Sequence, residues 1–140
     1  CDFTIAARNA NFVQAFINIA LVPDAGSSYF LPQLIGRARA TEMMMLGENI
    51  TAEEAYKIGL IYKVTTEDQL MEQSLKLANK LAQKPSSALI QIRELLDASH
   101  ENTLSEQLEA EAKAQQIAGK NENFIEGVAA FNEKREPKFK

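Results

Sequence analysis

The first apolar signal in the chain has a period of two. Asp2-Phe3-Thr4-Ile5-Ala6 alternates polar and apolar side chains, the pattern of a half-buried strand, and Arg8-Asn9-Ala10-Asn11 supplies turn residues after it. A second short extended piece is expected over 11–16. The stretch from Ala20 to Gly26, with Pro23 and Asp24 inside it, leads into a helix expected from about Ser27 to Ile35. Pro32 suits that helix only in a first turn or at a break, because an interior proline lacks the N–H donor and crowds the preceding turn. Arg37 to Leu46 predicts a further helix, with Gly47 as the residue just past its end. Thr51 and Glu54 have the spacing of a capping box, opening a short helix that Gly59 stops. Leu60 to Val64 is rich in strand-forming residues and reads as a strand.

From Thr66 onward the period becomes helical. Thr66 with Gln69 predicts another capping box, and Leu70, Met71, Leu75, Ala78, Leu81 and Ala82 place an apolar stripe along a helix ending near Lys84, where Pro85 breaks it. Ala88, Leu89, Ile92, Leu95 and Leu96 form the next stripe. Thr103 with Glu106 starts a third long helix that Gly119 ends, and Phe124, Ile125, Val128, Ala129 and Phe131 mark a last amphipathic stretch. The chain is thus expected to be α/β over 1–65 and helical over 66–140, predominantly α as a whole. The helical part carries apolar faces that need a cover, from elsewhere in the subunit or from a neighbouring one.

With 140 residues, 46% apolar and 24% charged, the composition is that of one globular domain or part of one. Cys1 stands where a methionine would, and the strand-like opening leads us to expect further chain upstream. No apolar run approaches the roughly 18 residues of a membrane span, and no leader pattern is present, so a soluble, cytoplasmic protein is expected, with no membrane partner. The net charge is −4 and the 15 basic residues are scattered, which argues against nucleic acid as a partner. One cysteine and one histidine allow neither an intrachain disulfide nor a Cys/His metal cluster.

Five segments in order carry a family resemblance: 1–7 (CDFTIAA), 20–28 (ALVPDAGSS), 31–40 (LPQLIGRARA), 46–55 (LGENITAEEA) with 59–61 (GLI), and 126–135 (EGVAAFNEKR). Together they resemble the C-terminal half of a crotonase (enoyl-CoA hydratase/isomerase) superfamily subunit. That resemblance implies the last part of a β-β-α spiral followed by a helical oligomerisation region, a trimer or dimer of trimers, and acyl-CoA thioester substrates. Coenzyme A enters as part of the substrate; no metal or other cofactor is implied. The two backbone N–H groups that hold the thioester enolate in this family belong upstream of Cys1 in its pattern.

The resemblance also implies site residues. Hydratases of the family use two glutamates, one just upstream of Cys1 and the other where this chain has Phe16, and a phenyl ring cannot move a proton. Asp24 stands where many hydratases have glycine. An aspartate there is similar to the ring-opening epoxide isomerases of phenylacetyl-CoA breakdown, the dienoyl-CoA isomerases and the aryl-CoA dehalogenases. Held among Phe16, Leu21, Val22, Tyr29 and Phe30, its carboxyl is expected to rise from about 3.9 toward the range of a general base. Its spacing alone would instead have it cap the following helix.

Ala15, Phe16, Leu21 and Tyr29 are the candidate acyl-pocket residues, and Phe131 and Lys134 the candidate contacts to coenzyme A of a neighbouring subunit. Ordinary core packing for the aromatics and a solvated face for Lys134 are the plainer readings. Arg37 and Arg39 are expected on the surface or in intersubunit ion pairs, Met43, Met44 and Met45 in packing and His100 in a loop, and the resemblance implies a buried strand for Cys1. The expected activity is an acyl-CoA isomerase. The alternatives are an enoyl-CoA hydratase, an aryl-CoA dehalogenase on the same fold, or an assembly module without catalysis.

Overall fold

A computed structural model describes residues 1–140. The chain forms two compact units, Cys1–Leu75 and Lys76–Lys140, which divide inside a helix. In the first unit, β1 (Ile5–Ala7) pairs in parallel with β4 (Lys63–Thr65), Ala6 opposite Val64. β2 (Asn11–Phe12) pairs antiparallel with β3 (Ile50–Thr51). The strand expected over Leu60–Val64 therefore starts later, since pairing to β1 sets its register. The extended piece expected over 11–16 ends at Phe12, and a 3-10 helix, Ala15–Ile19, takes its place. Cys1, expected on a buried strand, is exposed ahead of β1.

α1 (Ser27–Leu46) is the two expected helices run together across a kink at Gly36, whose φ of 78° and ψ of 154° lie outside any helical region. Pro32 sits within the first of these segments and removes the bond that Ser28's carbonyl would accept. Gly47 closes α1 in the left-handed conformation and donates its N–H to the Met43 carbonyl. α2 (Ala52–Lys57) opens on the full capping box: Thr51 Oγ1 accepts from the Glu54 N–H, and Glu54 Oε2 accepts from the Thr51 N–H.

Two small apolar clusters hold this unit. Ala6, Ala52, Ala55 and Ile61 form one; Leu31, Ala40 and Met43 form the other, and Phe12, Ile50 and Leu60 pack against both. Met44 is half-buried, whereas Met45 is 70% exposed rather than packed. Of the two arginines, Arg39 pairs with Glu42 at 2.6 Å.

α3 (Leu70–Ala82) contains the boundary between the units. The capping box expected ahead of it does not form: the Thr66 carbonyl, not its hydroxyl, accepts the Gln69 N–H. α4 (Ser86–Ala98) and α5 (Leu104–Ala118) pack on one another in the second unit. Gln107 fastens them by donating to the Leu95 carbonyl at 3.1 Å, and the Thr103–Glu106 capping box starts α5 as expected. His100 lies in the turn between them.

α6 (Glu122–Glu133) is followed by a segment that folds back along it. Asn123 exchanges two hydrogen bonds with the backbone of Lys140, and Glu126 takes the Lys138 N–H at 2.7 Å. The Phe139 ring thereby meets Gly127, where an added Cβ would lie 3.6 Å from it.

Much apolar surface stays open in both units, including Ile19, Val22, Leu104 and Phe131. No helix is long and apolar enough to cross a membrane.

Candidate functional site

Asp24 lies on a segment, 20–26, that belongs to no helix or strand. Hydrogen bonds fix its two ends. At the entry, the Ala20 N–H reaches the Ile17 carbonyl at 3.1 Å and the Leu21 N–H reaches the Phe16 carbonyl at 3.0 Å, closing the 3-10 helix. At the exit, the N–H and hydroxyl of Ser27 both donate to the Asp24 carbonyl. Ala20 and Ala25 take left-handed φ values of 58° and 49°, uncommon for residues with a Cβ and costing about 1–3 kcal/mol each. Such strain persists where surrounding bonds over-determine the backbone.

The Asp24 carboxylate itself makes no hydrogen bond or ion pair. It does not cap α1, whose N-cap is Gly26 without a side-chain bond. Nor is it enclosed: Asp24 is exposed, and Leu21, Val22, Tyr29 and Phe30 are each at least half exposed. The apolar enclosure expected of it is therefore not supplied by these 140 residues. The reason is geometric, since those side chains are carried on the same exposed segment and on the first turn of α1. Tyr29 and Phe30 stack edge to face, centroids 5.2 Å apart.

Ala15 and Phe16 sit on the 3-10 helix, Ala15 exposed and Phe16 half-buried. Ala15, Phe16, Leu21, Asp24 and Tyr29 thus fall on three consecutive pieces of one unit. Asn18 ties the first of these pieces to the end of α1, its Nδ2 donating to the Gly47 carbonyl at 3.0 Å. Sequence reasoning passed over Asn18 and Ser27. A lone polar residue between Ile17 and Ile19 was the available signal for the first.

Phe131 and Lys134 belong to the second unit. Phe131, 84% exposed, lines an apolar groove of about 400 Å³ with Pro85, Ala88, Phe124, Val128 and Phe139. Lys134 ends α6 in a left-handed conformation, with its ammonium free of any ion pair. The adjacent Arg135 is engaged with Glu126 and Glu133. No set of His, Cys, Asp or Glu side chains converges in a way that could hold a metal ion.

A family model described as enoyl-CoA hydratase/isomerase matches residues 1–140. The chain belongs to the enoyl-CoA hydratase/isomerase family. Over 138 residues it is 40% identical to a 1,2-epoxyphenylacetyl-CoA isomerase from Escherichia coli, covering 99% of this chain and 53% of that protein. It is 41% identical to a probable enoyl-CoA hydratase from Rhodobacter capsulatus, covering 99% and 54%. The crystal structure of an enoyl-CoA hydratase subunit I from Geobacillus kaustophilus superposes with a TM-score of 0.95 at 35% identity, covering 100% of this chain and 55% of that one. The chain spans about half the length of the curated relatives it matches. Its α/β first unit and mainly helical remainder are accordingly part of an enoyl-CoA hydratase/isomerase (crotonase-type) fold.

Proposed function

We propose that this chain is the C-terminal half of an acyl-CoA isomerase subunit in which Asp24 moves the proton. The observation carrying this reading is that Asp24 offers an uncommitted carboxylate on a doubly anchored segment while position 16, on the preceding 3-10 helix, holds a phenyl ring. A carboxylate bound to backbone donors would be too weak a base; this one keeps its lone pairs. In the reaction, the Asp24 carboxylate removes a proton from Cα of a β,γ-unsaturated thioester. The electrons of that C–H bond pass into a dienolate, and the same proton returns at Cγ, leaving the double bond between Cα and Cβ. Two backbone N–H groups from the rest of the subunit hold the enolate oxygen, each worth about 10²–10³ in rate. Where Cβ carries an epoxide oxygen, loss of the Cα proton to Asp24 instead breaks the Cβ–O bond: the C–H electrons form the Cα–Cβ double bond, and the released alkoxide takes the proton back from Asp24. Residues 1–140 alone, without those donors, turn over no substrate.

The rest of the subunit closes over Leu21, Val22, Tyr29 and Phe30 and desolvates Asp24, and the acyl group lies against Ala15 and Phe16. Phe131 and Lys134 face coenzyme A bound to an adjacent subunit. The open apolar faces of the helices are covered in a homotrimer or dimer of trimers, and the enzyme is cytoplasmic. Sedimentation of the complete protein at a trimer or hexamer mass tests the assembly.

The deciding experiment is Asp24→Asn in the complete subunit, assayed with 3-hexenoyl-CoA and with 1,2-epoxyphenylacetyl-CoA. A drop in kcat of about 10²–10⁴ is expected; a wild-type rate with both substrates removes the proton-transfer role. Hydration is the second reading, favoured by the 41% identity to a probable enoyl-CoA hydratase from Rhodobacter capsulatus. Conversion of crotonyl-CoA to its 3-hydroxy product by the Asp24→Asn enzyme would select it.

A further inference from the structure

The Asp24 segment has no lateral hydrogen bonds between Leu21 and its own carbonyl, so the carboxylate's placement depends on where the two anchors stand. The exit anchor is part of α1. The entry anchor is the 3-10 helix, a single short turn with no buried residue of its own. Something must fix that turn against α1, and one side-chain hydrogen bond does so: Asn18 Nδ2 to the Gly47 carbonyl, across 29 residues of sequence. Gly47 permits the approach because it has no Cβ. An added one would fall 2.7 Å from Ile17 Cγ2 and 2.7 Å from Asn18 Oδ1. Gly47 is in turn held by its N–H bond to the carbonyl of Met43, a core residue. A continuous path of contacts therefore runs from Met43 through Gly47 and Asn18 to the turn that launches the Asp24 segment.

We propose that Asn18 is a positioning residue for proton transfer by Asp24, acting through its bond to Gly47; the inference rests on the catalytic reading of Asp24 given above. Asn18 touches no reacting atom. Its amide holds the Phe16-bearing turn, and so both the acyl-facing ring and the entry to the Asp24 segment, in one register on α1. A misplacement of about 1 Å at a reacting group is enough to cost up to 10²-fold in rate. Loss of this bond should therefore act on the chemical step more than on substrate binding.

The test uses the complete subunit with 3-hexenoyl-CoA and 1,2-epoxyphenylacetyl-CoA as probes. Asn18→Ala is expected to lower kcat at least about tenfold while KM stays within about twofold. Asn18→Asp, isosteric but without the N–H donor, should match it, which keeps the test valid if the alanine variant folds poorly. The discriminating measurement is a double-mutant cycle: on an Asp24→Asn background, Asn18→Ala should cause no further loss, because a positioning residue has nothing left to position. Wild-type kcat in both Asn18 variants would overturn the proposal and leave the Asp24 role intact. A loss that is fully additive with Asp24→Asn would overturn it too, by making Asn18 merely structural. Wild-type kcat in Asp24→Asn alone would overturn the reading beneath it, and this inference with it.

Discussion

Glu126 and Arg135, nine residues apart, meet as a two-pronged ion pair: Nη1 donates to Oε1 at 2.6 Å and Nη2 to Oε2 at 2.9 Å. The pair fixes the point where the chain leaves α6 and turns back along it. The guanidinium, and after it the Lys138 N–H, hold the Glu126 carboxyl down at about 2, against an ordinary 4.5. A carboxylate whose folded value lies below its unfolded one contributes stability that is complete above the ordinary value and lost as pH falls through the folded one. The returning segment should therefore loosen between pH 4.5 and about 2. Amide exchange at Lys138 and ring signals of Phe139, followed across that range, check this. Glu126→Gln should flatten the dependence and leave the segment loose at neutral pH.

Gly47 and Gly36 both take positive φ, at 61° and 78°, but only Gly47 is crowded. Replacing either by alanine forces a Cβ into a sparsely allowed conformation, at about 1–3 kcal/mol. Gly47→Ala adds a collision with Ile17 and Asn18, whereas Gly36 has no atom within 4 Å of the new Cβ. Chemical denaturation of the complete subunit should show both variants destabilised, Gly36→Ala by backbone strain alone, in a region essentially restricted to glycine, and Gly47→Ala by milder strain plus the collision. A Gly47→Ala variant as stable as wild type would mean that the close approach relaxes without cost.

The capping boxes predict a contrast among three threonines. Thr51→Ala and Thr103→Ala each leave a first-turn N–H without its acceptor and should cost about 1 kcal/mol. Both partner glutamates are held below their ordinary range, first by the threonine backbone N–H and then by its hydroxyl, so this contribution too fades in acid. Thr66→Ala, at a place where the same spacing forms no box, should stay within about 0.5 kcal/mol of wild type by the same denaturation measurement.

Residues 1–140 produced alone should bind a hydrophobic dye such as anilinonaphthalene sulfonate in the native pH range, because side chains such as Val22 (80% exposed) and Phe131 (84%) stand open in this chain. Dye fluorescence should fall on adding the remainder of the subunit. Absence of binding would show that these faces cover one another.

Local chemistry was legible and long-range pairing was not. The Thr51–Glu54 and Thr103–Glu106 boxes, the stop at Gly47 and the break at Pro85 depend on residues within a few positions of each other, so spacing sufficed. Phe16, read as the end of an extended piece over 11–16, misled because phenylalanine favours strands, whereas the conformation there is decided by turn bonds and by Gly47, 29 residues beyond Asn18. The register of β4 depended on β1, 58 positions away, and the return of 135–140 on partners up to 18 residues back. At the candidate site, the family resemblance, not spacing, singled out Asp24 and Phe16, which lie on neighbouring pieces of backbone. It could not reveal that these 140 residues leave Asp24 exposed, because burial belongs to the fold and not to local spacing.

β1 and β4 pair only with each other, over three residues each. Each therefore carries, on its far side, a row of amide groups with no ladder to join. A preparation of these residues by themselves offers these open edges to any extended peptide, its own copies included, and to any strand of a separately made complementary piece. Lowering the concentration of this piece and supplying the complementary one in excess should accordingly favour productive assembly over fibrous self-pairing.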